Sequence, residues 1–161
     1  MTAPVTADSL VQGAAIYLLA IPEVVAVLGV TPEGSPWLFQ NSLKVNVEGT
    51  SGNAAVISYG GGWSGGNEHN TLNFPRLSVE LWVDPIRDAD KNVTDPDESF
   101  RRLDAVYKVF DRVLHRAQGG TQMWGAVRTL SSLRQSEPLM YAVPDGDGLL
   151  RGQVYYAVEE G

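Results

Sequence analysis

A glycine-rich stretch between two strand-like segments constrains most strongly how this chain can fold. Ala54–Tyr59 and Leu77–Val83 have strand character, and the residues that follow the first of them read Gly60-Gly61-Gly62-Trp63-Ser64-Gly65-Gly66. Hairpin loops usually need about two to five residues, so a connection of this length predicts a long loop with a function of its own. Glycine makes such a loop costly to order, whereas Trp63 can bury a large area. Gly60–Asn73 is therefore predicted to be a mobile arm that orders on a partner.

The composition predicts one globular domain spanning residues 1–161. Hydrophobic residues make up 43% of the chain and charged residues 19%. A chain of this length can bury about 70% of its unfolded surface in a single core. There is no cysteine, which excludes disulfides, thiolate metal sites and a cysteine nucleophile, and suits a reducing compartment.

Neither a membrane span nor a nucleic-acid-binding surface is expected. The apolar stretch Leu10–Leu28 contains Gln12, Gly13, Pro22 and Glu23 and has no basic leader, so it resembles neither a signal peptide nor a transmembrane helix. The formal net charge is −7, and the 12 lysines and arginines are dispersed. Such a surface repels nucleic acid on average, and it would also let DNA slide past without binding.

Two helices are predicted before the first strand. Thr6 or Asp8 can cap a helix that runs to about Ala20, with apolar residues at helical spacing on one face. Pro22 suits the first position of a second, short helix, because an amide at that position needs no partner. Gly29 ends this second helix.

The rest of the chain predicts an α+β fold with a single, mostly antiparallel sheet in the order α-βββ-α-ββ and its helices packed on one face. The three strands before the long helix are Leu43–Val47, Ala54–Tyr59 and Leu77–Val83. Two more, Val127–Glu137 and Leu149–Val158, follow the helix. The first of these two alternates poorly, which indicates a bulge.

The long helix has a clear start signal. Asp95 is placed to cap it, Pro96 occupies the first position, and Glu98 can reach back to the amide of Asp95. One apolar stripe follows, formed by Phe100, Leu103, Val106, Tyr107, Phe110, Val113 and Leu114. Ion pairs at four-residue spacing are expected on the other face: Asp97 with Arg101, Glu98 with Arg102, and Asp104 with Lys108.

Two glycine motifs suggest catalysis or nucleotide binding, but their context argues against both. Gly62–Gly66 has the spacing of the nucleophile elbow of serine hydrolases, with Ser64 as nucleophile and His69 or His115 as base. Gly60–Gly65 has the spacing of a dinucleotide fingerprint. Both motifs need a helix directly after the glycines, and none is predicted there. No catalytic residue and no cofactor are therefore expected.

Metal binding is also not expected. Asp145-Gly146-Asp147-Gly148 resembles the start of a calcium loop, but the next residue is leucine, so a hairpin turn explains it better. Solvated loop charges are the default interpretation of the remaining candidate ligands, which are Glu68, His69, Asp84, Asp88 and Asp90.

The candidate functional residues are interface residues. Trp82 alternates onto the face of its strand that carries Ser78 and Glu80, so it is either covered by a helix or exposed to a partner. The predicted interface comprises Trp63, His69, Asn70, Arg76 and Trp82.

Taken together, several segments resemble the tail terminator proteins of long-tailed bacteriophages, especially those that infect actinobacteria. The resemblance spans nearly the whole chain. It is carried by Ala20-Ile21-Pro22-Glu23-Val24, Leu28-Gly29-Val30, Ser35-Pro36-Trp37-Leu38-Phe39-Gln40, Val47-Glu48-Gly49-Thr50, Phe74-Pro75-Arg76-Leu77, Asp84-Pro85, Pro144-Asp145-Gly146-Asp147-Gly148 and Arg151-Gly152.

The resemblance implies a structural virion protein, assembled in the host cytoplasm and located at the tail neck. Such a subunit forms a homo-oligomeric ring, typically a hexamer, that caps the tail tube, stops its polymerisation and presents the surface for the head-tail connector. DNA passes through the lumen without specific binding. The alternatives are another phage neck, head-completion or tube subunit, a small serine hydrolase that uses Ser64, and a generic ligand-binding α+β domain.

Overall fold

The computed structural model describes residues 7–30, 33–41, 53–67, 70–90, 92–115, 121–142 and 150–160. Three helices and seven strands lie in this part of the chain. They are α1 (Ala7–Leu19), α2 (Pro22–Val27), β1 (Leu38–Gln40), β2 (Ala54–Asn67), β3 (Asn70–Val83), α3 (Pro96–Leu114), β4 (Gln122–Trp124), β5 (Val127–Arg134), β6 (Leu139–Ala142) and β7 (Leu150–Glu160).

All seven strands belong to one sheet. Its order is β1-β2-β3-β7-β5-β4, and β6 also pairs with β7. The β1–β2 pair is parallel and the others are antiparallel. One edge of β7 pairs with β3, and the other pairs first with β6 and then with β5. The predicted α+β class with a mostly antiparallel sheet is confirmed.

The helices pack on one face of the sheet, as predicted. Alternate residues of the central strands point into the core there, including Ile57, Leu77, Val79, Leu81, Val83, Val154, Tyr156 and Val158. The stripe of α3 meets them, and Leu103, Phe110 and Leu114 are fully buried. Each Leu or Phe buried in this way contributes about 1.5–3 kcal/mol, so this contact provides much of the stability.

Three strands were not predicted from the sequence. β1, β4 and β6 have only three or four residues each, too few for an alternating pattern to stand out. The predicted strand Leu43–Val47 lies outside the described residues. The bulge predicted in Val127–Glu137 is present as a register shift between Thr129 and Ser131.

The start of α3 agrees with the prediction for Asp95 and Pro96, and its ion pairs agree only in part. An Asp95 carboxylate oxygen accepts a hydrogen bond from the Glu98 amide at 3.2 Å. Lys108 pairs with Asp104 at 2.7 Å as expected. Arg101, however, pairs with Glu98 at 2.6 Å rather than with Asp97. Residues three and four apart are both neighbours on a helix, so spacing alone could not select the partner.

A polar network ties α3 to the sheet. The hydroxyl of Tyr156 on β7 donates a hydrogen bond to the Asp111 carboxylate at 2.8 Å, and Arg134 on β5 donates to the other oxygen at 2.8 Å. Arg134 also donates to the Tyr107 hydroxyl at 2.8 Å. Burial, together with the hydrogen bond to Asp111, raises the pKa of the Tyr156 hydroxyl far above its usual value.

Candidate assembly surface

The glycine-rich stretch forms a β-ribbon, so the prediction of a long loop was wrong. β2 and β3 stay paired from Gly62↔Pro75 to Asn67↔Asn70. We call these two six-residue segments, Gly62–Asn67 and Asn70–Pro75, the ribbon. Pairing between β3 and β7 begins only at Arg76, and β1 pairs with β2 only at Ala55–Ile57. Among the described strands, therefore, none pairs with the ribbon, which extends for about 20 Å.

A bulge marks the base of the ribbon and explains its first glycines. The register shifts between Tyr59 and Gly62, and Gly61 has a φ of +83°, a value that favours glycine. A Cβ atom on Gly60 would lie 2.8 Å from the ring of Tyr155. Glycine at these two positions thus lets the strand bend past Tyr155. From the sequence alone, these two glycines indicated a loop, because glycine normally weakens strands.

The face of the sheet opposite α1 and α3 carries alternate polar and aromatic residues, and we call it the outer face. Its central members are Arg76, Ser78, Glu80, Trp82, Arg151, Gln153 and Tyr155. At the base of the ribbon, the Arg76 guanidinium lies 5.2 Å from the centre of the Tyr155 ring. The Arg76 Nε atom is buried and finds no hydrogen-bond partner among the described residues.

Arg151 organises the middle of the outer face. Its guanidinium lies 5.5 Å from the Trp82 ring centre and 5.8 Å from that of Tyr141. It donates a hydrogen bond to the Tyr141 hydroxyl at 2.9 Å and forms an ion pair with Glu80. Arginine stacked on aromatic rings while it also pairs with a carboxylate is held in one orientation. The outer face is therefore preorganised.

Trp82 is covered in part, and by aromatic residues rather than by a helix. It packs with Trp37, Phe39 and Ala54 in a small second cluster. Trp37 and Phe39 lie edge to face with their ring centres 6.0 Å apart. The parallel pairing of β1 with β2 brings both rings to the outer face. Trp82 remains half-buried, so part of its surface is accessible to a partner.

A shallow groove of about 180 Å³ lies where the outer face meets the ribbon. It is lined by Phe74, Ser131, Leu133, Gln135, Ala157 and Glu159. Leu133 is 45% exposed, and Ser131 donates a hydrogen bond to Glu159 at 3.0 Å. The groove combines an apolar floor with a carboxylate rim.

A larger depression of about 780 Å³ lies on the opposite side of the molecule, between α2, α3 and the segment after β3. Its polar lining includes Asn53, Asp84, Arg87 and Arg102. Arg87 pairs with Asp84 at 3.1 Å, and Asn53 donates a hydrogen bond to the carbonyl of Val27 at 2.9 Å. Asn53, Asp84 and Arg87 therefore serve structural contacts.

The residues that suggested catalysis or metal binding are not arranged for these functions in the described part of the structure. Ser64 lies within β2 opposite Asn73, and the strand continues to Asn67, so the strand-to-helix turn of a nucleophile elbow is missing there. The Nδ1 atom of His115 accepts a hydrogen bond from the Arg134 amide at 3.0 Å. In the described part of the chain, no three acidic or histidine side chains group closely enough to hold a metal ion. No helix described is long and apolar enough to cross a membrane.

The predicted interface residues are only partly brought together. Arg76 and Trp82 lie on the outer face, six positions apart on β3. The backbones of Trp63 and Asn70 lie in the ribbon, opposite Phe74 and Asn67. His69, like the Pro144–Gly148 segment, lies outside the described residues.

Comparisons with known proteins give little guidance. No family model matches the chain, and no curated protein matches it at a significant level. Its fold is similar to that of a chain in the solved structure "Virion of native gene transfer agent (GTA) particle", at 14% sequence identity and a TM-score of 0.48. The alignment covers 95% of this chain and 97% of the other. A likeness of this degree assigns no function.

Proposed function

We propose that this chain is a structural protein of a long-tailed bacteriophage, a tail terminator. In this proposal it forms a closed homo-oligomeric ring, typically a hexamer, on the end of the tail tube, where it stops polymerisation and offers the surface for the head-tail connector. It acts in the virion, at the tail neck, after assembly in the host cytoplasm. The sequence resemblance, which extends along nearly the whole chain, supports this role.

The ribbon is the observation that carries the proposal. A two-stranded ribbon is marginally stable in water, because it has little apolar area to bury. The ribbon Gly62–Asn67 with Asn70–Pro75 pairs with no third strand among those described. A chain retains such an element when a partner completes it, which favours an assembly protein.

The outer face supports the same role. It carries stacked arginine and aromatic residues at Arg76, Tyr155, Arg151 and Trp82, and these residue types are enriched at the centre of protein interfaces. The positive charge of Arg151 is balanced by Glu80. The face therefore suits a protein partner better than the phosphates of DNA, which would pass through the ring without specific binding.

The test is capping of tail tubes polymerised from the tube protein of the same phage. In the variant, an Asn-Gly turn that joins Gly61 to Arg76 replaces residues 62–75. The body should stay folded, because strand pairing between β3 and β7 starts at Arg76. The wild-type chain should appear as rings on tube ends under negative stain and should limit tube length, and the shortened variant should not.

Two variants refine this test. Trp63→Ala should weaken capping less than the shortened ribbon does, with little change in the melting temperature of the subunit. Ser64→Ala should cap normally, because we propose no catalytic role for the chain. An esterase activity that Ser64→Ala abolishes would support the hydrolase alternative. Docking on head connectors but never on tube ends would instead support another neck subunit.

A further inference from the structure

We propose that the ring closes by β-strand addition, with each free edge of the ribbon pairing with the ribbon of a neighbouring copy. This inference rests on the ring assembly of the proposed function. It names the contact that joins the subunits: the β2 edge of one ribbon against the β3 edge of the next.

Pro75 identifies which backbone groups of the ribbon point outward. In an antiparallel pair, opposite residues alternate between those that exchange hydrogen bonds and those that do not. Proline has no amide hydrogen, so Gly62↔Pro75 must be a pair without hydrogen bonds. By alternation, the same holds for Ser64↔Asn73 and Gly66↔Thr71. The amides and carbonyls of these four residues therefore point to the free edges.

Within the described residues, the outer part of the ribbon lacks the devices that normally protect a free strand edge. Natural edges are blunted by charged side chains, proline, bulges or a covering segment. Neither Gly62–Asn67 nor Asn70–Pro75 contains a lysine, arginine, aspartate or glutamate, although 19% of the whole chain is charged. The bulge and the only proline lie at the base, near Gly61 and Pro75. The outer part of the ribbon is thus suited to pairing with another strand.

By contrast, the sheet body is covered at three edge positions within the described part of the chain. The Trp124 carbonyl of β4 faces Gly13 of α1. The Arg134 amide of β5 donates a hydrogen bond to the Nδ1 atom of His115 at 3.0 Å. Next to β1, the Trp37 amide donates a hydrogen bond to the Gly29 carbonyl at 2.8 Å. Among the described strands, β6 also has one unpaired edge, but it is only four residues long. The ribbon of a second copy offers two six-residue edges that match each other.

The two ribbon edges come from different strands, so contact between them is head-to-tail. Such contacts either close into rings or continue as filaments. Ribbons placed side by side in this way make one continuous sheet to which each copy contributes two strands, and a closed sheet leaves no free edge.

Amide hydrogen exchange with single-residue resolution tests the proposal, with the full chain measured as a dilute monomer, as a concentrated oligomer and on tail tubes. Gly65 and Leu72 should be protected in all three states. The outward amides of Ser64, Gly66, Thr71 and Asn73 should exchange freely in the monomer. In the ring they should slow by at least about 100-fold.

Asn73→Pro provides the matching variant, because it removes one outward amide hydrogen and leaves the hydrogen bonds inside the ribbon intact. It should keep the melting temperature of the monomer and weaken ring assembly at least about tenfold. Ser136→Pro, at an exposed position outside the ribbon, should assemble like the wild type.

The possible failures are distinguishable. Rings whose outward amides exchange freely, or that Asn73→Pro leaves unaffected, would overturn this inference and leave the proposed function standing. If the outward amides of only one ribbon edge were protected from exchange, and only on tubes, the ribbon would pair with the tube subunit. That result would overturn the pairing between copies. A chain that stays monomeric even with tubes present would overturn both proposals.

Discussion

Gly13 of α1 lies so close to Trp124 of β4 that a Cβ atom built on the glycine would stand 2.1 Å from the tryptophan carbonyl oxygen. Tyr17, one turn further along α1, stacks on the Trp124 ring at 5.2 Å. The Trp124 side chain is fully buried. The helix thus covers the edge of β4 because glycine lets the two backbones meet.

Gly13→Ala should therefore destabilise the protein. Alanine favours a helix over glycine by about 1 kcal/mol, but its methyl group would force α1 away from a backbone atom that cannot rotate aside. Overpacking of this kind costs about 1–3 kcal/mol, and here it should exceed the gain in helix propensity. Chemical denaturation should show a lower midpoint.

Gln12→Ala is the control for this substitution, because Gln12 is exposed on the same helix and alanine there creates no contact. Its midpoint should change little. An equal or higher midpoint for Gly13→Ala would mean that α1 can shift without loss.

Phe110→Ala should cost about 3–5 kcal/mol in the free energy of unfolding, the usual range for a buried phenylalanine. Phe110 is fully buried in the middle of the α3 stripe. Lys108→Ala, two residues away, removes an exposed ion pair with Asp104 and should cost less than about 1 kcal/mol. Equal midpoints for the two variants would show that α3 does not anchor the sheet.

Stability should fall steeply at alkaline pH because of Tyr156. Burial and the hydrogen bond to Asp111 raise its pKa in the folded protein, while the unfolded chain releases the proton near pH 10. Between these two values the folded state holds one more proton than the unfolded state. The free energy of unfolding should then drop by about 1.4 kcal/mol per pH unit for this tyrosine.

Tyr156→Phe separates this effect from general alkaline damage. The variant should be less stable than the wild type at pH 8, because Asp111 loses a partly buried hydrogen bond. Its stability should decline less steeply above pH 10, since one titrating group is gone. Denaturant titrations at half-unit steps from pH 8 to pH 11.5 would measure both slopes, and parallel slopes would contradict the assignment to Tyr156.

The regular parts of the fold could be predicted because their signals are local. Asp95 and Pro96 fix the start of α3, and the period of its apolar stripe fixes its buried face. Alternation in Leu77–Val83 correctly placed Trp82 on the face that carries Ser78 and Glu80. The same alternation in β7 would have added Arg151 and Tyr155, but the sequence analysis predicted this strand without assigning residues to its two faces.

The ribbon and the packing around Trp82 depend on contacts that local sequence patterns do not encode. The ribbon is stabilised by pairing that continues through Gly62–Asn67, although glycine is intrinsically poor in strands. Trp82 packs with Trp37 and Phe39 around Ala54, and the parallel pairing of a three-residue strand brings these two rings there from more than forty residues away. Such a strand is too short to show its own periodicity.

Among the residues of the outer face, Arg151 should be the one whose substitution lowers the stability of the protein most. Arg151→Met removes the stacking on Trp82 and Tyr141 and leaves the Glu80 carboxylate without its partner. Fully buried pairs lose about 3–5 kcal/mol when one member is removed. Here the Arg151 and Glu80 side chains are 24% and 20% exposed, so we expect a smaller loss of about 1–2 kcal/mol.

A double-mutant cycle separates the ion pair from the stacking. Glu80→Gln with Arg151→Met should be more stable than the sum of the single variants predicts, because the unpaired carboxylate is gone. Arg151→Lys keeps the charge but loses the planar group that stacks on the rings, so it should retain only part of the stability. If urea midpoints were additive and lysine fully replaced arginine, the outer face would owe its order to the surrounding strands rather than to Arg151.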